Sequence, residues 1–202
     1  MDYAKFFGTI RPYMPRGRLT QNQVTGFEAI VNFCAARGMK RSHCAYILAT
    51  AYHETAFRMQ PVREGLAKTN EGAIRAVTSL YERGVISRNY ALPQPNGHSY
   101  YGRGLVQLTF QENYKKVGNL LGVDLVNNPD LMLQTEHSVP ALVLGMQRGL
   151  FRRRSSLDML PSFPTDDQWI KARDIINGDV TKNGPKVAQH AKLFMRALQE
   201  AK

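Results

Sequence analysis

Residues 42–57, SHCAYILATAYHETAF, carry apolar side chains at helical spacing, and the polar string HET (53–55) lies near the end of this stretch. Apolar positions recur three and four residues apart, at Ala45, Leu48 and Tyr52. This spacing is typical of a helix that buries one face. Ser42 is placed to cap the helix, which is predicted to run to about Phe57. Glu54 then lies near the C-terminal end of the helix, at the edge of its buried face.

Helical periodicity marks most of the remaining chain, and β-branched runs are few. Further helices are predicted to begin, break or end at Gly38, Gly84, Thr109 with Glu112, Gly122, Pro129, Pro140, Thr165 with Gln168, and Pro185. The periodicity disappears from Val85 to Tyr101, and SYYGRGLVQLTF (99–110) is the best strand or hairpin candidate, so an irregular lobe is expected around residues 85–110. We therefore expect a mainly α fold in one domain, with a small hairpin or irregular lobe.

The chain of 202 residues carries 27 Lys and Arg against 16 Asp and Glu, a formal net charge of +11. This balance favours an anionic partner, such as nucleic acid, a lipid surface or an acidic wall polymer. The alternative is a solvated surface that aids solubility. The basic residues are scattered apart from Arg152, Arg153 and Arg154, and no recognisable nucleic-acid-binding motif is present. We therefore expect no nucleic-acid partner.

Cys34 and Cys44 are the two cysteines of the sequence, and both lie in segments with a helical pattern. They are expected to be two buried reduced thiols and not a disulfide, and they lack the CxxC spacing of a metal or redox site. The N-terminal stretch MDYAKFFGTIRPYM has no long apolar run, so no secretion signal is expected. No motif calls for a metal or a cofactor.

Two acids ten residues apart, Glu54 and Glu64, stand in contrasting surroundings. Burial and the negative end of the helix dipole both disfavour a charged carboxylate, so the pKa of Glu54 is expected to rise. Glu64 follows Arg63 between Pro61 and Gly65, which predicts an exposed loop and an ionised carboxylate. A protonated carboxyl and an ionised one are the working parts of a glycoside hydrolase. The alternative is that Glu54 is only a helix-end acid and Glu64 only a surface charge.

A zinc site of the HExxH type is excluded, because phenylalanine replaces the second histidine.

Four strings resemble the family 19 glycoside hydrolases, in the order of that family over about residues 45–180. They are HET (53–55), YYGRGLVQLTFQENY (100–114), NPDLM (128–132) and IING (175–178). The phage endolysins of the family are more similar still, since HETA followed by MQPVREG is their usual form. The resemblance implies a lysozyme-like, two-lobed helical fold and inverting hydrolysis of β-1,4-linked amino sugars.

By motif position, Glu54 matches the general acid of the family, and Glu64 matches the second carboxylate, which activates water. Thr109 matches a Ser or Thr that helps to hold that water. Polar residues of the sugar cleft are matched by His53, Tyr100, Tyr101, Gln107, Asn113 and Asn177. Structural explanations stay open beside these roles, because Thr109 is suited to begin a helix and Asn177 to end one. The two tyrosines are equally suited to a core.

Ala56 stands where plant chitinases of the family have a second Thr after HET, and the disulfides and longer loops of those enzymes are missing. These departures favour peptidoglycan over chitin.

The leading hypothesis is a monomeric endolysin, with one catalytic domain over residues 1–202 and no separate wall-binding module. It is expected to stay in the host cytoplasm until another protein forms a membrane pore. The alternatives are a chitinase, a basic nucleic-acid-binding protein and a lytic transglycosylase, which would leave Glu64 and Thr109 without a role.

The last predicted helix, from Pro185 onward, carries one apolar stripe formed by Val187, Ala191, Phe194 and Leu198. Such a stripe predicts packing on the core. Lys192 and Arg196 add positive charge to the same segment. An alternative role for the helix is therefore a transient contact between its basic face and an anionic wall or outer-membrane surface.

Overall fold

The computed structural model describes residues 1–152 and 155–202, so Arg153 and Arg154 of the predicted basic run lie outside the described residues. The fold is mainly helical with a small two-stranded sheet, which confirms the predicted fold class. The helices are α1 Tyr3–Ile10, α2 Gln21–Ala36, α3 Arg41–Glu54, α4 Asn70–Glu82, α5 Gln111–Leu121, α6 Thr135–Gln147, α7 Asp166–Lys171 and α8 Val180–Glu200. The strands are β1 Val62–Arg63 and β2 Arg103–Gly104. Short 3₁₀ helices span Arg11–Tyr13, Pro15–Gly17, Glu64–Leu66, Pro129–Leu133, Leu157–Met159 and Ala172–Ile175.

The chain forms two compact units. The first comprises Met1–Met59 and Val143–Lys202, and the second comprises Gln60–Leu142. That the whole chain acts as one catalytic domain stays a prediction. Among the described residues, no helix is long and apolar enough to cross a membrane.

In the first unit, α8 packs against α1, α3 and α7. Its predicted stripe of Val187, Ala191, Phe194 and Leu198 is buried, which confirms the packing explanation. The ring of Phe194 meets Phe27 at 5.2 Å and Tyr52 at 5.7 Å between ring centroids. The predicted start at Pro185 is wrong, because α8 begins at Val180. Proline removes one backbone hydrogen bond, and the packing of the helix offsets that loss.

Helix α3 starts at Arg41 and ends at Glu54, so the predicted Ser42 cap and the predicted end near Phe57 are both wrong. Ser42 lies inside the first turn and is buried. At the other end, the Phe57 amide donates to the Tyr52 carbonyl at 2.7 Å and the Ala56 amide donates to the His53 carbonyl at 3.2 Å. With Ala56 left-handed at a φ of 47°, this is a Schellman ending. The turn fixes Glu54 as the last residue of the helix.

The second unit holds the irregular lobe that the sequence predicted, but its strands are only two residues long. Strand β2 pairs antiparallel with β1, and Arg103 also forms a single bridge with Leu108. A small core of Ala73, Val77, Ala91 and Tyr101 lies in the same unit. Helix α5 ends at left-handed Gly122 as predicted, but Phe110 and not Thr109 occupies its N-cap position. No side chain caps that end of the helix.

The two cysteines, the start of α7 and Pro140 complete the local features that the sequence predicted. Cys34 and Cys44 are free and buried, as expected. Thr165 and Gln168 form the predicted capping box at the start of α7. Pro140 lies inside α6 and does not break it.

Candidate active site

Glu54 is held in the first unit by a buried arginine. Its Oε1 accepts a hydrogen bond from Nη1 of Arg173 at 2.6 Å, and its side chain is 15% exposed. The same guanidinium binds Asp179 through Nε–Oδ1 at 2.6 Å and Nη2–Oδ2 at 3.3 Å. Asn183 donates to the second oxygen of Asp179 at 2.5 Å. One buried cation is therefore shared between two carboxylates.

Burial raises the pKa of Glu54 above its ordinary value, although the charge and hydrogen bond of Arg173 oppose that shift. The predicted direction is thus confirmed. For Asp179, burial also acts to raise the pKa, but the hydrogen bonds from Arg173 and Asn183 outweigh it and the pKa is lowered. Asp179 is therefore the anion that balances Arg173. Glu54 is then the carboxyl able to carry a proton, as a general acid must.

Asp179→Asn is expected to move the alkaline limb of the kcat/KM profile to lower pH. The negative charge of Asp179 helps to raise the pKa of Glu54, so its removal favours the carboxylate and lowers that pKa. A general acid works only while protonated, and activity is therefore lost at a lower pH than in the wild type. The measurement is a pH–rate profile beside Asp167→Asn, which removes an exposed acid. A limb that stays in place or moves to higher pH contradicts this coupling.

His53 and Asn177 belong to the same unit as Glu54. Burial, followed by the charge of Arg173, lowers the pKa of His53 and so favours its neutral imidazole. The side chain of Asn177 is exposed, and its backbone amide donates to the Arg173 carbonyl at 3.0 Å. The alternative that Asn177 ends a helix is wrong, because Ile176 occupies the C-cap position. Contact of either side chain with a sugar stays a prediction.

Glu64, in the second unit, is fixed by two donors that the sequence did not indicate. Its Oε1 accepts from the Tyr90 hydroxyl at 2.5 Å, and its Oε2 accepts from the Gly102 amide at 2.7 Å. The predicted exposed loop is wrong, since Glu64 is half-buried at the start of a 3₁₀ turn. Arg63 does not pair with Glu64; it binds Asp130 at 2.9 Å between Nη2 and Oδ2. These two hydrogen bonds hold the carboxylate in one orientation, with both of its oxygens as acceptors.

A chain of short contacts joins Gln107, Thr109 and Asn113 in the same unit. The Thr109 hydroxyl donates to the Gln107 carbonyl at 2.8 Å, and the Asn113 amide group donates to the Thr109 carbonyl at 2.8 Å. Thr109 therefore does not cap α5. A Cβ added to Gly102 would lie 2.8 Å from Oε1 of Gln107 and 3.2 Å from Oε2 of Glu64. Glycine at 102 thus lets the backbone approach both side chains.

Tyr100 and Tyr101 are 1% and 0% exposed, which supports the core explanation over direct sugar binding. The hydroxyl of Tyr100 donates to the Val126 carbonyl at 2.8 Å. The hydroxyl of Tyr101 donates to Asn70, and its ring lies 3.7 Å from the guanidinium carbon of buried Arg103. Both rings are therefore part of the buried interior of this unit, and Gly102 follows them directly in the sequence.

Tyr90→Phe is expected to lower kcat about tenfold and to leave KM almost unchanged. The variant keeps the ring and removes the hydroxyl that donates to Glu64. A hydrogen bond to a charged group contributes about 1.5–3 kcal/mol, which exceeds the 1.4 kcal/mol of a tenfold change. Steady-state kinetics beside Tyr81→Phe, at a 47% exposed tyrosine, provide the measurement and its control. An unchanged kcat for Tyr90→Phe would show that this hydroxyl does not position Glu64.

Sequence reasoning missed Arg173, Asp179 and Tyr90. Arg173 precedes the IING string by two residues, so that string was the signal nearest to it. Tyr90 lies in the stretch without periodicity, where the sequence gives no local clue. Among residues 1–152 and 155–202, no group of three or more His, Cys, Asp or Glu is arranged to hold a metal ion.

Residues 20–141 match the family described as chitinase class I, family 19 of the glycoside hydrolases. This segment covers more than half of the chain and includes Glu54, Glu64 and Thr109. The chain therefore belongs to the class I chitinase family of glycoside hydrolases.

Shorter segments are similar to plant proteins. Chitinase 11 of Oryza sativa subsp. japonica is 58% identical over 38 residues, which are 19% of this chain and 15% of that protein. The basic endochitinase of Vitis vinifera is 52% identical over 40 residues, 20% of this chain and 13% of that protein. Inactive chitinase-like protein 1 of Hevea brasiliensis is 52% identical over 42 residues, 21% of this chain and 13% of that protein. The chain thus spans less than a fifth of the length of these relatives, one of which is named inactive.

Two solved structures share the fold over nearly the whole chain. A bacterial family 19 chitinase has a TM-score of 0.51 and 22% identity, covering 96% of this chain and 93% of that one. A chitinase C mutant has a TM-score of 0.50 and 20% identity, covering 98% of this chain and 90% of that one. At these identities the likeness is one of fold alone.

Proposed function

We propose that the protein is a phage endolysin that hydrolyses β-1,4 glycosidic bonds of bacterial peptidoglycan with inversion, and so lyses its host. One observation carries the catalytic part of this proposal: the two acids lie in contrasting surroundings. Burial keeps Glu54 able to hold a proton. The Tyr90 hydroxyl and the Gly102 amide hold Glu64 as an acceptor. Inverting glycoside hydrolysis requires one carboxyl that donates a proton and a second carboxylate that accepts one from water.

In this mechanism, the Glu54 carboxyl donates its proton to the glycosidic oxygen as the bond to the anomeric carbon breaks. Glu64 accepts a proton from the water whose oxygen forms the new bond on the opposite face of the sugar. Thr109 helps to hold that water. The two protons balance, since the leaving sugar gains one and water loses one. The products are two sugars, and the new reducing end is inverted at its anomeric carbon.

Peptidoglycan is favoured over chitin by Ala56 after HET, by the two free cysteines and by the charge of +11, which suits an acidic wall. Chitin hydrolysis is the second candidate, because the matched relatives are named chitinases. The lytic transglycosylase alternative stays disfavoured, since it leaves Glu64 without a role. As an endolysin, the protein would act as a monomer, held in the host cytoplasm until another protein opens the membrane.

A contact with an anionic wall or outer-membrane surface belongs to this proposal, but α8 offers less free charge than the sequence suggested. Lys192 pairs with Asp166 at 3.1 Å, and Arg196 pairs with Glu200 at 2.7 Å. Both pairs are exposed, so they are weak and screened by salt. Any such contact would depend on the remaining lysines and arginines of the surface.

The test is digestion of purified Gram-negative sacculi beside colloidal chitin, with mass spectrometry of the soluble products. We expect muropeptides with free reducing ends from the sacculi and much slower release from chitin. The same spectra identify which sugar carries the new reducing end. Rapid release from chitin with intact sacculi would instead support the chitinase.

A further inference from the structure

A polar pocket of about 700 Å³ lies in the second unit, next to Tyr90, one of the two donors to Glu64. It is lined by Arg88, Tyr90, Gln94, Tyr100, Phe110, Gln111, Glu112, Lys115, Asn119, Asp124 and Val126. Its volume falls within the range of about 300–1,000 Å³ that is usual for ligand sites. Tyr90 lines this pocket and also donates to Oε1 of Glu64, so the pocket adjoins the proposed base. The sequence did not predict the pocket.

The lining carries two cations, Arg88 and Lys115, and two carboxylates, Glu112 and Asp124. Glu112 pairs with Lys116 at 3.7 Å, outside the lining. Asp124 accepts hydrogen bonds from the side-chain and backbone amides of Asn127, at 2.7 and 3.1 Å. Neither Arg88 nor Lys115 forms an ion pair with any residue in the part of the chain that the structure describes. The pocket is therefore formally neutral, but its two cations have no ion-pair partner in the described part of the chain, whereas each acid is bound by a neighbouring residue.

Phe110 adds an aromatic surface to the same pocket. Its side chain is 43% exposed, and its ring packs edge-on against Tyr90 with 5.2 Å between the ring centroids. Its φ of 71° is unusual for a residue with a bulky side chain. Strained backbone of this kind is concentrated at functional sites. The pocket thus combines two cations, an apolar ring and the amide groups of Gln94, Gln111 and Asn119.

We infer that this pocket binds the acidic stem peptide of peptidoglycan, and that it makes the protein select peptide-bearing glycan over chitin. Chitin carries no carboxylate, whereas the stem peptide carries several along an extended backbone. Arginine and lysine recognise carboxylates, and side-chain amides suit a peptide backbone. This inference rests on the proposed function, because it names the part of the substrate that the pocket recognises.

The experiment compares Arg88→Gln/Lys115→Gln with Lys68→Gln/Arg75→Gln, a control of equal charge change at exposed residues outside the pocket. The substrates are intact sacculi and glycan strands from which an amidase has removed the stem peptides. We expect the pocket variant to lose about tenfold in kcat/KM on intact sacculi and to match the control on stripped strands. In a Glu54→Gln background, its dissociation constant for a soluble disaccharide–tripeptide should rise by a similar factor.

The outcomes distinguish a failure of the stem-peptide inference from a failure of the proposed function. If the wild type cleaves sacculi and the pocket variant matches the control on both substrates, the inference is wrong and the function stands. An equal loss on intact and stripped glycan also contradicts it, because the recognised group would then belong to the sugar chain. If the wild type cleaves only chitin, the proposed function fails first. Equal melting temperatures of the two double variants exclude a folding explanation.

Discussion

Glu54→Gln is expected to lower the hydrolysis of purified sacculi at least about a hundredfold, the low end of what general acid catalysis contributes. The amide keeps the size of the carboxyl, and its oxygen can still accept from Arg173, so the shape of the site is preserved. What disappears is the proton for the leaving oxygen. Asp179 shares Arg173 with Glu54, but its pKa is lowered, so it is a poor substitute donor.

The measurement is the rate of release of soluble muropeptides at fixed enzyme concentration, with melting temperature as the check on folding. Glu71→Gln, at an exposed acid in the first turn of α4, provides the matched control. The control should retain wild-type activity. Near-normal lysis by Glu54→Gln would remove the general acid from the proposal, and with it the role of the Arg173–Asp179 pair.

Glu64→Ala is expected to leave less than about 1% of wild-type turnover, since general base catalysis contributes about 10²–10⁴-fold. Removal of the carboxylate leaves the Tyr90 hydroxyl and the Gly102 amide without their acceptor, and the attacking water without a base. The loss of turnover should therefore exceed that of Tyr90→Phe, because that variant removes one donor to Glu64 but retains the carboxylate. Glu82→Ala, at an exposed acid of α4, serves as the control.

The chemistry of the products tests the same assignment independently. Inverting hydrolysis places water on the new end, so every product of the wild type should carry a free reducing end. Mass spectrometry separates such ends from 1,6-anhydro ends by the mass of one water. Anhydro products together with a fully active Glu64→Ala would establish the transglycosylase, which needs a single catalytic acid.

Much of the fold follows from local rules that the sequence displays. The stripe of α8 predicted its buried face, because side chains three and four residues apart share one side of a helix. Gly122 and the Thr165 capping box marked helix ends, because their chemistry acts within one turn. The predicted boundaries failed at Ser42, Phe57, Thr109, Asn177 and Pro185. At Phe57, Thr109 and Pro185, packing or a strained turn overrode the local preference.

The candidate site also combines features that the sequence predicted with features that only the tertiary structure decided. The spacing of Glu54 against its own helix was enough to predict burial and the direction of its pKa shift, because both depend on position within one element. The partners of the two acids could not be read from spacing. Arg173 reaches Glu54 across 119 positions of sequence, and Tyr90 reaches Glu64 across 26. Hydrogen bonds between distant residues exist only after the chain has packed, because burial removes competing water and fixes which donor meets which acceptor. The sequence alone therefore determined which residues are acids and which elements carry them, while the tertiary structure decided what holds each acid in place.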